Sequence, residues 1–401
     1  MQQPPHDPAH KTILQVHNRY RYPGGEDTVV QNERELLRSH GHTVLVYERQ
    51  NAEIDGFTPL QKLLLPVLTV FNPKTYRDIK HILRAQKVDV VHVHNTLNLI
   101  SPAVYYAARA CGVPVVQTVH NFRLLCPGAT FYRDGQICED CVQHGLGCAV
   151  RHACYRGSRA QTLLCVLSTW LHRATGIYNK LNYLCLTEFT RDKLVARYPK
   201  AQFYVKPNFV FAEPDPPPAP REKEFYLYVG RIEEIKGVDL LVDAFAALPD
   251  RKLKIAGSGV GEAALRARVE REGLHNVELL GQQSRAQLDE LLRRAKAVVV
   301  TSQCYETFGM VIAEAYSRGV PVIVGEIGNL KTLVQDGKTG VLFRYDSPEA
   351  LREAVQRFET LDRDQCAAAA VQYYRDNLTE QANYTRLCEI YDAVCGTPPK
   401  G

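Results

Sequence analysis

The sequence has no run of about 18 apolar residues, so no segment of it is expected to span a bilayer as a helix. Its first residues, MQQPPHDPAHK, lack the apolar stretch a secretory signal needs, so a cytoplasmic chain is expected. Charge of one sign is also scarce. With 49 Lys and Arg against 44 Asp and Glu, the net charge of +5 is too small to imply nucleic acid. It suits an acidic small substrate or an anionic membrane face. No repeat with a period of roughly 20–50 residues is found, which excludes solenoids and propellers. The one Asp-x-Asp, Asp362-Arg-Asp364, lies in a helical region, so no catalytic metal is expected from it.

What is present describes a globular α/β protein. Apolar residues make up 45% of the 401 positions and charged ones 23%, enough for a sizeable core in two or three domains. In the first half, strand-like runs at Thr12–His17, Thr43–Tyr47, Asp89–His94, Pro114–Val119, Tyr183–Thr187 and Phe203–Val205 alternate with helical stretches. Alternation of this kind predicts a parallel sheet with helices on both faces. The Pro214–Pro220 run breaks it and reads as a linker. Strand-like runs then resume at Glu224–Val229, Leu253–Ala256, Val277–Leu280, Ala297–Thr301, Val320–Val324 and Gly340–Phe343. Helices are expected to begin near Gly237, Gly261, Ser284, Gly309, Gly328 and Ser347, with a helical close from Asp362 to Ala393. The expected division is a domain over 1–211 with a Cys-rich loop at 122–157, a Pro-rich linker at 212–221, a second domain at 222–361 and a helical segment at 362–401.

The chemistry-bearing residues of the second half form two groups. GRIEEIKG at 230–237 follows a strand, and Arg231 and Lys236 sit where a helix N-terminus and two cations suit a diphosphate. SQCYETFGMVIAE at 302–314 sets Glu306 just before an expected helix and Glu314 about two turns into it. The amides of Phe308, Gly309 and Met310 are available to an anion, and the two carboxylates to sugar hydroxyls. GSGVG at 257–261 reads as a loop at the nucleotide's edge.

This pattern, GRxxxxKG followed by ExFGxxxxE, resembles the retaining glycosyltransferases of family 4 (glycosyl transferases group 1), and the resemblance runs over nearly the whole chain. In the first half, Pro23–Arg49 and His92–Pro127 resemble that family's donor-proximal and acceptor loops. The resemblance implies a GT-B fold, two Rossmann-like doubly wound domains facing each other across a cleft. It implies a hexosyltransferase that moves a sugar from a nucleoside-diphosphate sugar to a glycan or lipid-linked acceptor, as in polysaccharide biosynthesis, with retention and no catalytic metal. By the same resemblance Arg231 and Lys236 clamp the donor diphosphate, Glu306 holds the transferred sugar and Glu314 the ribose. The amides of Phe308, Gly309 and Met310 meet the sugar or distal phosphate, Gly24 and Gly25 allow close approach of the phosphates, and His120 contacts the sugar. His92 and His94 read as structural. One departure stands out: where many members carry Gly-Gly-x-x-Glu, this chain has Gly328-Asn329-Leu330-Lys331-Thr332, so the usual Glu is Thr332.

Twelve cysteines are many for a cytoplasmic chain. Cys111, Cys165, Cys185, Cys304, Cys366, Cys388 and Cys395 are scattered and read as small core residues. Cys126, Cys138, Cys141, Cys148 and Cys154 crowd together, and Cys138-x2-Cys141 has the spacing of a zinc knuckle. Structural zinc held by Cys126, Cys138, Cys141 and Cys154, with Cys148 as substitute for the last, is the expectation, and a subgroup of the family with Cys-rich loops looks similar. Gly128, Gly135, Gly145 and Gly147 predict loop rather than helix there, and a stapled loop after His120 is expected to shape acceptor binding. Leu60–Phe71 admits two readings, an interfacial element at the inner face of a membrane or ordinary core packing. A competing function class is a non-catalytic protein that binds a nucleotide sugar and uses the Cys-rich loop for a partner.

Overall fold

A computed structural model describes residues 10–21, 24–211 and 223–396. The expected linker, 212–221, lies outside the described residues. The chain forms two compact units, one of residues 1–129, 139–207 and 383–401, the other of 130–138 and 208–382.

The first unit is built on a six-stranded sheet of β1 (Thr12–Arg19), β2 (Thr43–Gln50), β3 (Val90–Asn95), β4 (Val115–Val119), β7 (Asn182–Cys185) and β8 (Gln202–Val205), ordered β2-β1-β3-β4-β7-β8. Every pairing in it is parallel. β3 and β4 are buried along their whole length, as continuous Val-rich runs covered on both faces must be. Residues 383–401 belong to this unit, where Asn383 Nδ2 donates to the Pro207 carbonyl at 2.6 Å and the Tyr391 hydroxyl lies 2.7 Å from His92 Nδ1.

The second unit repeats the plan with β9 (Phe225–Val229), β10 (Leu253–Ala256), β11 (Val277–Gly281), β12 (Ala295–Val300), β13 (Val322–Gly325) and β14 (Gly340–Phe343). Their order is β11-β10-β9-β12-β13-β14, again all parallel. Its core packs Phe245 of helix Val238–Ala246 and Phe358 of helix Pro348–Glu359 against Tyr226 of β9. The first sheet reverses its direction of growth after β2 and the second after β11, so the loops following β1 and β3, and β9 and β12, open at a topological switch point, where open α/β sheets bind ligands.

Three local expectations change. The stretch after Gly328 is only a short 3-10 turn, Leu330–Leu333, because Asn329 is buried and used to hold the backbone elsewhere. The Cys-rich segment is not plain loop. It contains a hairpin of β5 (Tyr132–Arg133) and β6 (Gln136–Ile137) and two single-turn helices, Asp140–Gln143 and Gly147–Arg151. Its glycines serve turns instead, with Gly135 and Gly145 in the left-handed region. Helix Met310–Tyr316 starts just past Gly309, as expected, but Glu314 lies about one turn into it, not two.

Candidate active site

In the second unit the turn after β9 and the turn after β12 are locked together by close backbone approach. Gly237 has φ +67°, and a Cβ there would meet the Thr301 carbonyl at 2.1 Å. Thr301 Oγ1 in turn donates to the Lys236 carbonyl at 2.8 Å. A Cβ at Gly257 would strike the Gly230 carbonyl at 1.8 Å, which explains the glycines of 257–261 as a packing need between two loops.

The clasped turns deliver a charged constellation. Lys236 Nζ donates to Glu306 Oε1 at 2.5 Å, and Ser302 Oγ donates to the same oxygen at 2.8 Å. Burial pulls the Lys236 pKa down, but the facing Glu306 carboxylate outweighs it and the net shift is upward. For Glu306 burial pushes up, and Lys236 together with Ser302 and Arg231 brings the net shift below the ordinary carboxylate value. Both groups are therefore charged at neutral pH. Arg231 is 67% exposed, with Nη1 2.9 Å from Glu233 Oε1, so its guanidinium is open to a ligand. Phe308 is buried, and its carbonyl accepts from Asn329 Nδ2 at 2.6 Å. Asn329 thus fixes the turn that leads through Gly309, at φ +110°, into Met310. Burial raises the Glu314 pKa against the opposing pull of Arg318 and Arg285. Thr332 closes a local turn by donating to the Asn329 carbonyl at 2.7 Å.

The hairpin of the Cys-rich segment belongs to this unit and rests on the same turns. The Tyr132 hydroxyl donates to Glu234 Oε1 at 2.8 Å, and the Phe131 and Tyr305 rings lie 5.7 Å apart. The hairpin of the segment expected to shape acceptor binding thus begins beside the residues that carry Lys236 and Glu306.

His120 belongs to the first unit, at the end of β4. It lines a cavity of about 90 Å³ together with His94, Asn95, Tyr105, Arg123 and Ser168. His94 Nδ1 and His120 Nε2 are 3.0 Å apart. His94 Nε2 lies 3.4 Å from Glu33 Oε1, and Lys206 Nζ lies 3.1 Å from Glu33 Oε2. Burial, with neighbouring histidines, lowers the His94 pKa to about 3 and that of His120 well below its ordinary value, so both rings are neutral. Glu33 is held in its charged form: burial opposes this, but His92 and Lys206 prevail. His94 Nε2 faces both the Glu33 carboxylate and, at 3.5 Å, the Gln15 amide nitrogen, while its Nδ1 pairs with His120 Nε2, so the tautomer of one ring fixes that of the other. Glu33, His92 and His94 have the spacing of a metal site, but the Lys206 ammonium already supplies the cation.

Gly24 and Gly25 open the helix Gly25–Ser39, and a Cβ on either would meet nothing within 4 Å, so the protein's own packing does not demand glycine there. Glu26 follows them and was not singled out by its residue type. Burial and the adjacent Asp27 raise its pKa to about 8, and Tyr20 and Asn95 hydrogen-bond it. Glu33 was missed as well, although an acid on the buried stripe Val29, Val30, Leu36 and Leu37 is a readable anomaly.

Four cysteines of the first unit gather. Cys141 feels Cys126, Cys154 and Cys148, which with burial push its thiol up to about 12. A Cβ on Gly128 would sit 3.5 Å from Cys154 Cβ and 3.7 Å from Cys126 Sγ. Cys138 lies on the other side of the unit division, after β6, with its amide donating to the Phe131 carbonyl at 2.8 Å.

Comparison with known proteins agrees with this layout. The Glycosyltransferase Family 4 model matches residues 23–213, and the Glycosyl transferases group 1 model matches 211–375. A D-inositol 3-phosphate glycosyltransferase of Thermomonospora curvata is 32% identical over 194 residues, 44% of each chain. An uncharacterized glycosyltransferase of Methanocaldococcus jannaschii is 34% identical over 131 residues, 33% of this chain and 37% of its own. The matched stretches thus span less than half of these relatives. A sucrose-phosphate synthase from Thermosynechococcus elongatus superposes with a TM-score of 0.71 at 18% identity, covering 96% of this chain and 100% of its own. HepE of Anabaena, in complex with UDP and glucose, does so with a TM-score of 0.62 at 18% identity, over 95% of this chain and 99% of its own. Two parallel Rossmann-like sheets give this chain the GT-B fold, its first half matching the glycosyltransferase family 4 model and its second the glycosyl transferases group 1 model.

Proposed function

We propose that the chain transfers a sugar from a nucleoside-diphosphate sugar to a hydroxyl of a glycan or lipid-linked acceptor, with retention of anomeric configuration. The observation that carries this reading is the Lys236–Glu306 pair, fixed by Ser302 and two clasped turns beside an open Arg231. Departure of a nucleoside diphosphate builds negative charge on the leaving oxygen. Lys236 and Arg231 stand ready to receive that charge without reorganising, which is where preorganised electrostatics lowers a barrier most. Glu306, charged and already oriented, accepts hydroxyl hydrogen bonds from the transferred sugar, and Glu314 accepts them from the ribose. The backbone of Phe308, Gly309 and Met310 meets the sugar or the distal phosphate. His120, neutral and hydrogen-bonded to His94, suits a hydroxyl of the sugar or acceptor better than it suits phosphate.

Cys126, Cys141, Cys148 and Cys154 of the first unit match a structural zinc in donor type and number. Such an ion supplies no step of the reaction. It would hold the segment whose hairpin rests beside Glu234 and Tyr305.

The test is donor binding followed by turnover. UDP, GDP, ADP and their sugars are screened by thermal melting, and one nucleotide is expected to stabilise the wild-type protein but not Arg231→Ala or Lys236→Ala. With the matching sugar donor, Lys236→Ala should lower kcat by roughly 10²–10³-fold. NMR of the product should give the donor's own anomeric configuration. An inverted product rules out retention, and a melt unmoved by every nucleotide rules out the donor site.

A further inference from the structure

Two helices of the first unit are inside out. Helix Arg159–Ala174 buries Thr162, Cys165, Thr169 and His172 and turns Leu163, Leu167 and Trp170 to solvent. Helix Pro59–Val70, packed against it, buries Thr69 and exposes Leu60, Leu63 and Val67. Of the twelve large apolar side chains that are exposed among the described residues, eight lie on these two helices. The exposed positions run at i, i+3 or i+4, and i+7 on each, so each helix offers one continuous apolar stripe. Leu63 is 74% exposed and Trp170 61%. Apolar surface concentrated in this way is unfavourable in water and marks a surface that meets something else. The polar inner faces have a use of their own: Thr69, Cys165, Ser168 and Thr169 line the cavity of His120.

Charge decides what covers the stripes. No Asp or Glu occurs from Gly56 to Arg77 or from Cys141 to Thr187, while Lys62, Arg151, Arg156 and Arg159 lie in these stretches. A second copy would bring like charge against like charge, whereas an anionic bilayer complements both the cations and the apolar stripe. Neither helix is long and apolar enough to cross a membrane. We propose that helices Pro59–Val70 and Arg159–Ala174 form a monotopic surface that lies on an anionic lipid bilayer, with Leu63, Val67, Leu167 and Trp170 at the level of the acyl chains. This stands on the two helices and is independent of the reading of the catalytic site.

Trp170 is the only tryptophan of the chain, so the full-length protein carries its own reporter. Vesicles of phosphatidylglycerol and phosphatidylcholine are titrated into it, with pure phosphatidylcholine vesicles as the comparison. Expected are co-sedimentation with the anionic vesicles, a blue shift of Trp170 emission, quenching by brominated acyl chains, and weakening by high salt. Leu63→Gln with Leu167→Gln keeps the reporter and should leave the melting temperature unchanged, while lowering vesicle affinity by about tenfold or more. Equal binding to both vesicle types, binding to neither, or a dimer that the Gln variant dissociates without any vesicle binding would each overturn the proposal.

Discussion

At the scale of single residues, the first unit stores its chemistry in buried groups whose protonation is set by neighbours. Glu33 is ionised in the interior because Lys206 and His92 face it, and it ties helix Gly25–Ser39 to β3 and to the residue after β8. Removing the charge on one side leaves a buried ammonium alone, so Glu33→Gln should cost about 3–5 kcal/mol in denaturant unfolding. His94 acts through His120 and is a positioning residue. His94→Phe should lower kcat by roughly tenfold or more with little change in donor KM and shift the pH profile, and His94→Gln, which can still hydrogen-bond His120, should recover part of the loss. Glu26 gives a pH prediction with a definite sign. The fold holds its proton up to about pH 8, whereas the unfolded chain releases it near 4.5. The folded state therefore binds the extra proton between these values, and stability falls as pH rises through that window. Glu26→Gln cannot lose a proton, so its denaturant midpoint should gain on wild type from pH 4.5 to 8 and run parallel above. A gap that is constant throughout would mean Glu26 is ionised in the fold.

At the scale of elements, the donor half depends on backbone contact more than on any side chain. Gly237→Ala places a methyl group 2.1 Å from the Thr301 carbonyl at a φ that disfavours it. The β9 and β12 turns must then part, so nucleotide-induced stabilisation should be lost in the melt even though Lys236 and Glu306 remain. If the variant binds nucleotide as wild type does, the clasp is not what aligns the pair. The alternation of Val-rich strands with amphipathic helices was legible because period and length are local properties. The Lys236–Glu306 partnership was not, since 70 residues separate the two and only the sheet order brings their turns together. The depth of Glu314 in helix Met310–Tyr316 was hidden for a related reason: Asn329, far along the chain, holds the Phe308 carbonyl in the turn that leads through Gly309 at φ +110°. Likewise the apolar run at Leu60–Phe71 could be read as core or interface until burial showed which side faces out, since sequence pattern gives a stripe but not its direction.

At the scale of the whole molecule, the Cys-rich segment has its parts divided between the units. Residues 130–138 fold with the donor half, while Cys126, Cys141, Cys148 and Cys154 belong to the histidine half. The hairpin carries few apolar side chains of its own, and two-stranded hairpins are marginal without support. Its support in the second unit is the Tyr132–Glu234 hydrogen bond and the Phe131–Tyr305 contact, one residue from each of the two turns that build the proposed diphosphate site. The hairpin is joined through short chain segments to Cys126 and Cys141, whose thiols, with those of Cys148 and Cys154, repel one another as thiolates unless a cation lies among them, and zinc relieves this by binding them deprotonated. Metal loss should therefore be felt at the donor. One zinc per chain is expected by elemental analysis of the purified protein. Its removal by a strong chelator, or Cys141→Ser, should lower the melting temperature and raise donor KM, with readdition of zinc reversing the chelator's effect but not the mutation's. Tyr132→Phe separates the two roles: it keeps the cysteines, so it should leave zinc content and melting temperature in place while still raising donor KM by a few-fold, the loss of a net hydrogen bond of about 1 kcal/mol. An acceptor KM that rises instead, with donor KM fixed, would return the segment to the role first read from its place after His120.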